Sequence, residues 1–126
     1  MKIHCTIATA TLAGVAIGAF GVQGLQAQST PKAYVISEIT IIDQAAQEAY
    51  LPKVSEAIKS SGGTFIARGG RIVALEGEAP KRVTVVAYDS LEKAQAARTS
   101  ASWKALQAER DKAIKVRAYI VEGLPN

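Results

Sequence analysis

Ala33-Tyr34-Val35-Ile36-Ser37-Glu38-Ile39-Thr40-Ile41-Ile42 is a β-branched and aromatic run, and directly after Asp43 the apolar positions fall at Ala46, Tyr50, Val54, Ala57 and Ile58. The period changes from that of a strand to that of a helix, with Asp43 placed as the N-cap between them. Pro52 interrupts the helical stretch, so a kink is expected there, or a restart with Pro52 in the first turn. Ser61-Gly62-Gly63 then ends the helix. Downstream, Thr64–Arg68 and Arg71–Leu75 flank Gly69-Gly70, a hairpin or bulge signal. Residues 76–81 read as a turn and Arg82–Tyr88 as a further strand. Asp89 or Ser90 caps a second helix with Leu91, Ala94 and Ala97 on one face. Ser100-Ala101-Ser102 restarts it, and Trp103, Leu106 and Ile114 continue on helical spacing. Val116–Val121 is the last strand, stopped by Gly123 and Pro125. The order β-α-β-β-α-β, with a small extra ribbon in the middle, predicts an α+β, ferredoxin-like sheet with its helices on one face. The other face then needs a partner or water.

Alternation along each strand sorts the side chains into two sets. Val35, Ser37, Ile39, Ile41, Phe65, Ala67, Val83, Val85, Ala87, Val116, Ala118 and Ile120 are nearly all aliphatic or small, and are expected under the helices. The opposite parity gives Tyr34, Ile36, Glu38, Thr40, Ile66, Arg68, Thr84, Val86, Tyr88, Arg117, Tyr119 and Val121. That second face is too apolar to stand open, so a face-to-face homodimer is expected. It also carries Tyr34, Glu38, Arg68, Tyr88, Arg117 and Tyr119, the candidate lining of a small-molecule pocket. The plainer alternative has these groups satisfying one another across an interface. Glu38 is the acid/base candidate among them, because burial would raise its pKa.

The first 27 residues differ in kind from the rest: their one charged group is Lys2, followed by an uncharged run from Cys5 to Val22 and a small-residue stretch ending at Ala27. This is the layout of a secretory signal peptide cut after Ala27, with Gly24 as the second choice. The eighteen-residue run is also long enough for a retained membrane anchor, though Gly14, Gly18 and Gly21 favour removal. Either way the folded part is expected outside the cytoplasm. The only cysteine, Cys5, and the only histidine, His4, lie in that leader. A cysteine-free exported chain fits a bacterial periplasm. The domain organisation is therefore a leader at 1–27, a polar linker at 28–32 and one domain at 33–124. No thiol nucleophile, imidazole base, disulfide or thiolate or imidazole metal site can be built after residue 27, so no metal and no cofactor are expected.

Phe65-Ile66-Ala67-Arg68-Gly69-Gly70, Leu75-Glu76-Gly77, Ser102-Trp103-Lys104 and Ala118-Tyr119-Ile120-Val121-Glu122-Gly123 together resemble the DUF1330 family, over about Ala33 to Gly123. The resemblance implies a ferredoxin-like domain of the dimeric α+β barrel kind and adds no reaction. Where the family has Asp-Pro-Glu followed by an aromatic residue, this chain has Asp43, then Gln44 for the proline and Gln47 for the aromatic, with Tyr50 a turn later. Its Ser-Pro-Glu-Tyr motif reads Ser100-Ala101-Ser102-Trp103 here, so Trp103 takes the aromatic place.

Three further positions are weaker site candidates. Asp43 matches the family motif, Glu76 pairs with Glu78 in a turn better suited to water than to a cation, and Trp103 is more suited to anchoring the core than to stacking a substrate. Arg68 beside Gly69-Gly70 could offer its guanidinium and backbone N–H groups to an anion. The net charge is +4, and +3 once Lys2 is set aside, with Glu109 and Asp111 interleaved among the bases of the last helix. Nucleic acid is not an expected partner, and a membrane is one only if residues 5–22 persist as an anchor. Three function classes follow: a homodimer binding a small carboxylated or aromatic molecule, a cofactor-independent oxygenase, isomerase or decarboxylase using Glu38 or a tyrosine, and a structural or partner-binding module.

Overall fold

The computed structural model describes residues 30–125; the expected leader, residues 1–27, lies outside them. β1 (Ala33–Ile41) leads into α1 (Gln44–Ser60), β2 (Thr64–Arg68) and β3 (Arg82–Tyr88). Three short helices follow, α2 (Leu91–Thr99), α3 (Ala101–Lys104) and α4 (Gln107–Ala113), before β4 (Ile114–Glu122). The sheet order is β2-β3-β1-β4 and every pairing is antiparallel, the ferredoxin-like arrangement read from the sequence.

Three of the four helices begin where a short polar side chain holds a free backbone N–H, and α4, preceded by Leu106, has no such cap. Asp43 accepts from Ala46 N at 3.0 Å, Ser90 from Lys93 N at 3.1 Å and Ser100 from Trp103 N at 3.2 Å, caps worth about 1 kcal/mol apiece. Of the two outcomes expected at Pro52, a kink or a restart, the restart is absent: α1 is continuous over seventeen residues with Pro52 on its exposed side. Ile114 is the first residue of β4 and not a helical position, so the last strand starts two residues earlier than its sequence pattern suggests.

The core lies between the helices and one sheet face. Its centre is the pair Val35 and Val86, opposite each other on β1 and β3 and each 2% exposed. Register corrects the face assignment on β3. Val86 and Tyr88 lie opposite Val35 and Ala33, so they belong under the helices, while Val83 and Val85 lie opposite Glu38 and Ile36 on the open face. Alternation fixes the faces within one strand, but the phase between strands is set by pairing, and both parities of Arg82–Tyr88 are apolar enough to be core.

A second shift comes from a β-bulge between Phe65 and Ala67. It adds a residue to β2, so Arg68 falls opposite Thr84 and turns to the helix side. The expected ribbon strand Arg71–Leu75 does not form. Gly69 N donates to Val83 O at 3.1 Å, which carries the chain on along β3 where a reversal was expected. The loop at 69–81 therefore runs exposed, with Val73 68% and Leu75 92% accessible.

The corrected register makes a sharp test. Val86→Asp puts an unpaired carboxylate into the core, a cost of several kcal/mol against a total stability of about 5–15 kcal/mol. Circular dichroism should show that variant unfolded, whereas Val85→Asp, on the uncovered face, should keep the wild-type spectrum.

Candidate functional site

The open face gathers four of the sequence-predicted pocket residues. Arg117 lies opposite Glu38 across β1 and β4, and its Nε and Nη2 donate to one carboxylate oxygen at 3.1 and 2.8 Å. Tyr119 lies one alternation further along β4, with the guanidinium 6.0 Å from its ring centroid. Tyr34 is half-buried opposite Val121. The Arg117 guanidinium holds the Glu38 carboxyl below its usual range, and Glu38 in turn pushes the Tyr119 phenol up. The expectation of a raised Glu38 pKa is thus reversed: hydrogen bonding to the charged form outweighs burial. This is an ion-paired surface, and beside it an open groove of about 350 Å³ runs past Thr40, Pro80 and Lys115.

The other two predicted residues face the helices. Tyr88 is buried, and its hydroxyl shares a 3.0 Å hydrogen bond with Ser61 Oγ, tying the end of α1 to β3. Arg68, turned over by the bulge, donates to Ser55 Oγ and stacks on Phe65 with 4.6 Å to the centroid. Of the weaker candidates, Asp43 is the α1 cap, and Glu76 stands exposed in the 69–81 loop. Trp103 is buried.

Trp103 and Arg68 instead share a different space. Between α1, the helices after β3 and the covered sheet face lies a cavity of about 60 Å³, several times the roughly 10–15 Å³ that one water needs. Val54, Tyr50, Phe65 and Trp103 form apolar walls, and Ser37, Thr84, Gln47 and four arginines bring polar groups. The helical stripe of α1 supplies Gln47, Tyr50, Val54 and Ile58 in register. Gln47 is 3% exposed, and its Oε1 has no hydrogen-bond partner among the described residues. Burial pushes the Tyr50 phenol up. Arg98 reaches in from α2, over the Trp103 ring at 4.0 Å and 3.4 Å from Ser37 Oγ.

The Arg68-Gly69-Gly70 motif has a local explanation here. Gly69 holds φ +63, and a Cβ there would stand 2.7 Å from the Arg82 guanidinium. Glycine is needed for the backbone, whereas the Arg82 guanidinium, the end of a flexible side chain, can shift aside for a Cβ. Arg98 and Gln47 were missed as site residues, though both carried a signal. Gln47 is a polar residue on an otherwise apolar helical stripe, and Arg98 follows Ala94 by one turn on the apolar side of α2.

Among solved structures, a protein of unknown function from Rhodopseudomonas palustris matches with a TM-score of 0.60 at 14% identity, over 86% of this chain and 95% of that one. SnoaB, a cofactor-independent oxygenase from Streptomyces nogalater, matches with a TM-score of 0.56 at 7% identity, over 77% of this chain and 97% of that one. At such identities the likeness is one of fold. No curated protein matches the chain. The sequence model described as "Domain of unknown function (DUF1330)" matches residues 32–124, all but the ends of the described region, and the chain belongs to that family.

Proposed function

We propose that this domain binds a small organic molecule in the cavity between its helices and its sheet, as one half of an exported homodimer. The observation that carries the binding reading is the buried Gln47 oxygen without a partner, set among aromatic walls in a space larger than one water. An apolar lining with a few convergent polar groups is the usual chemistry of a ligand site, and at about 60 Å³ this one is far below the common size and takes only a small molecule. The ligand thus sits on the helix side of the sheet, and the tyrosine-bearing face is left for a second subunit. Recognition suits this site better than turnover. Glu38, the acid/base candidate, lies outside the cavity, bound to Arg117 and held below the usual carboxylate range.

Dimerisation rests on the uncovered face. Helices pack on one side only, and Ile36, Val83 and Val85 are left partly accessible, with Tyr119 and Val121 exposed on the neighbouring strand. Leaving that surface wet is unfavourable by about 25 cal/mol per Å². A second copy of the same face removes it from water with the isologous symmetry of most small oligomers.

Three measurements test these readings. Trp103, the only tryptophan, lines the cavity, so its emission should change saturably with small probes such as phenol or benzoate, and Val116→Phe should abolish the response by filling the space. No response to any probe would remove the binding reading. Light scattering should find the wild type dimeric and the folded Val85→Asp variant monomeric; a monomeric wild type would remove the dimer. Mass spectrometry of the protein from its host should find a chain beginning near Gln28. An intact Met1 form in the membrane fraction would mark an anchor, and a full-length cytoplasmic form would exclude export.

A further inference from the structure

We infer that the cavity selects a small carboxylate that also carries a hydrogen-bond donor, with Arg98 holding the anion and the Gln47 side-chain oxygen accepting from the donor. This rests on the cavity-binding reading above and names its ligand class.

The lining holds four guanidinium groups, Arg68, Arg82, Arg98 and Arg110, and no aspartate or glutamate. Arg110 alone meets a carboxylate, donating to Asp111 Oδ1 at 3.1 and 3.0 Å. Arg68 is exposed and reaches Ser55, and Arg82 lies beside Gly69 with no hydrogen bond or ion pair among the described residues. Arg98 has only the long contact to Ser37 Oγ and the face of Trp103. Burial pulls its pKa down, Tyr88 and Tyr50 oppose that, and the neighbouring Arg110 charge adds to it. Arginine stays protonated even so. The result is a partly desolvated cation with several N–H donors unspent and no anion beside it, in a concave site of one charge sign.

A guanidinium matches a planar, two-oxygen acceptor best, which is a carboxylate. Ionised carboxylate oxygens cannot satisfy Gln47 Oε1, because both are acceptors. A complete ligand therefore brings an O–H or N–H of its own. Tyr50, Phe65 and Trp103 suit a ring or a short carbon chain between the two polar ends. A compact hydroxy acid has all three parts.

Isothermal titration calorimetry on the mature chain with 3-hydroxybenzoate, benzoate, 3-hydroxybenzamide and phenol separates these elements. 3-Hydroxybenzoate should bind tightest, with the neutral amide roughly ten- to a hundredfold weaker, as expected for a charged hydrogen bond, and benzoate about fivefold weaker for the lost donor. Arg98→Met should erase the acid-over-amide preference, and Arg98→Lys should keep part of it. Gln47→Leu should erase the preference for the hydroxyl but not for the acid. Circular dichroism checks that each variant folds; should Arg98→Met unfold, the wild-type acid and amide affinities together with Arg98→Lys decide the matter. Equal binding of acid and amide, or an acid preference that survives in folded Arg98→Met, overturns the anion assignment while the cavity reading stands. Equal binding of 3-hydroxybenzoate and benzoate overturns the role of Gln47. If none of the four binds, phenol included, the cavity reading falls and this inference with it.

Discussion

Val35 on β1 and Val86 on β3 stand opposite each other at the centre of the sheet, and from their contact the positions of the other side chains follow. β1 is an inner strand, paired with β3 on one edge and β4 on the other. Once Val35 points at the helices, the register commits Ser37 and Ile39 to that side, and with them Thr84, Ala118 and Val116. The same choice sends Ile36, Glu38 and their partners to the uncovered side. A slip of one residue would exchange the faces, placing the Glu38–Arg117 pair under the helices. The helices are matched to the correct side by Ile58 on α1, Ala94 and Ala97 on α2, and Trp103 on α3, which close over Val35 and Val86.

The fold was legible because its signals are local. The strand at Ala33, the caps at Asp43, Ser90 and Ser100, and the glycines after Ser61 each declare an element or its end within a few residues. What could not be read locally was relative phase. Arg82–Tyr88 carries valines on both parities, so nothing within the strand says which of them meets Val35, and alternation alone puts Tyr88 and Val86 on the wrong face. The bulge before Ala67 moved Arg68 in the same way, since an inserted residue shows only against the partner strand. Arg71–Leu75 has strand composition, but strand propensity expresses itself only where a neighbouring ladder is on offer. Gly69 remains bonded to β3, so the chain does not fold back to provide one.

The site was less legible for a related physical reason. Tyrosine, arginine and glutamate on one strand face resemble a pocket in sequence, but in the sheet Glu38 and Arg117 are direct cross-strand partners and satisfy each other. The groups left unsatisfied are single polar intrusions on helical stripes, Gln47 and Arg98, and helix faces only become a cavity wall once the sheet has set their distance. Gln47 stands where the family pattern has an aromatic residue. Gln47 instead places there a buried side-chain oxygen that no group among the described residues bonds.

The two faces also divide the charges by how far they are compensated. On the open face Arg117 meets a carboxylate, and the pair is accessible enough that water and salt screen it, so it orients strands more than it stabilises them. Because the Glu38 pKa is depressed, whatever the pair contributes is present above the unfolded carboxylate pKa and fades as pH falls through the folded value, below the neutral range. Inside the cavity there is no carboxylate to titrate, the Tyr50 phenol is pushed further above neutral, and the arginines keep their charge. The receptor side of the cavity is therefore electrostatically constant between mildly acidic and mildly basic pH. Any change in occupancy across that interval has to come from the ligand, and for a carboxylic acid it appears as lost affinity once the acid is protonated in solution.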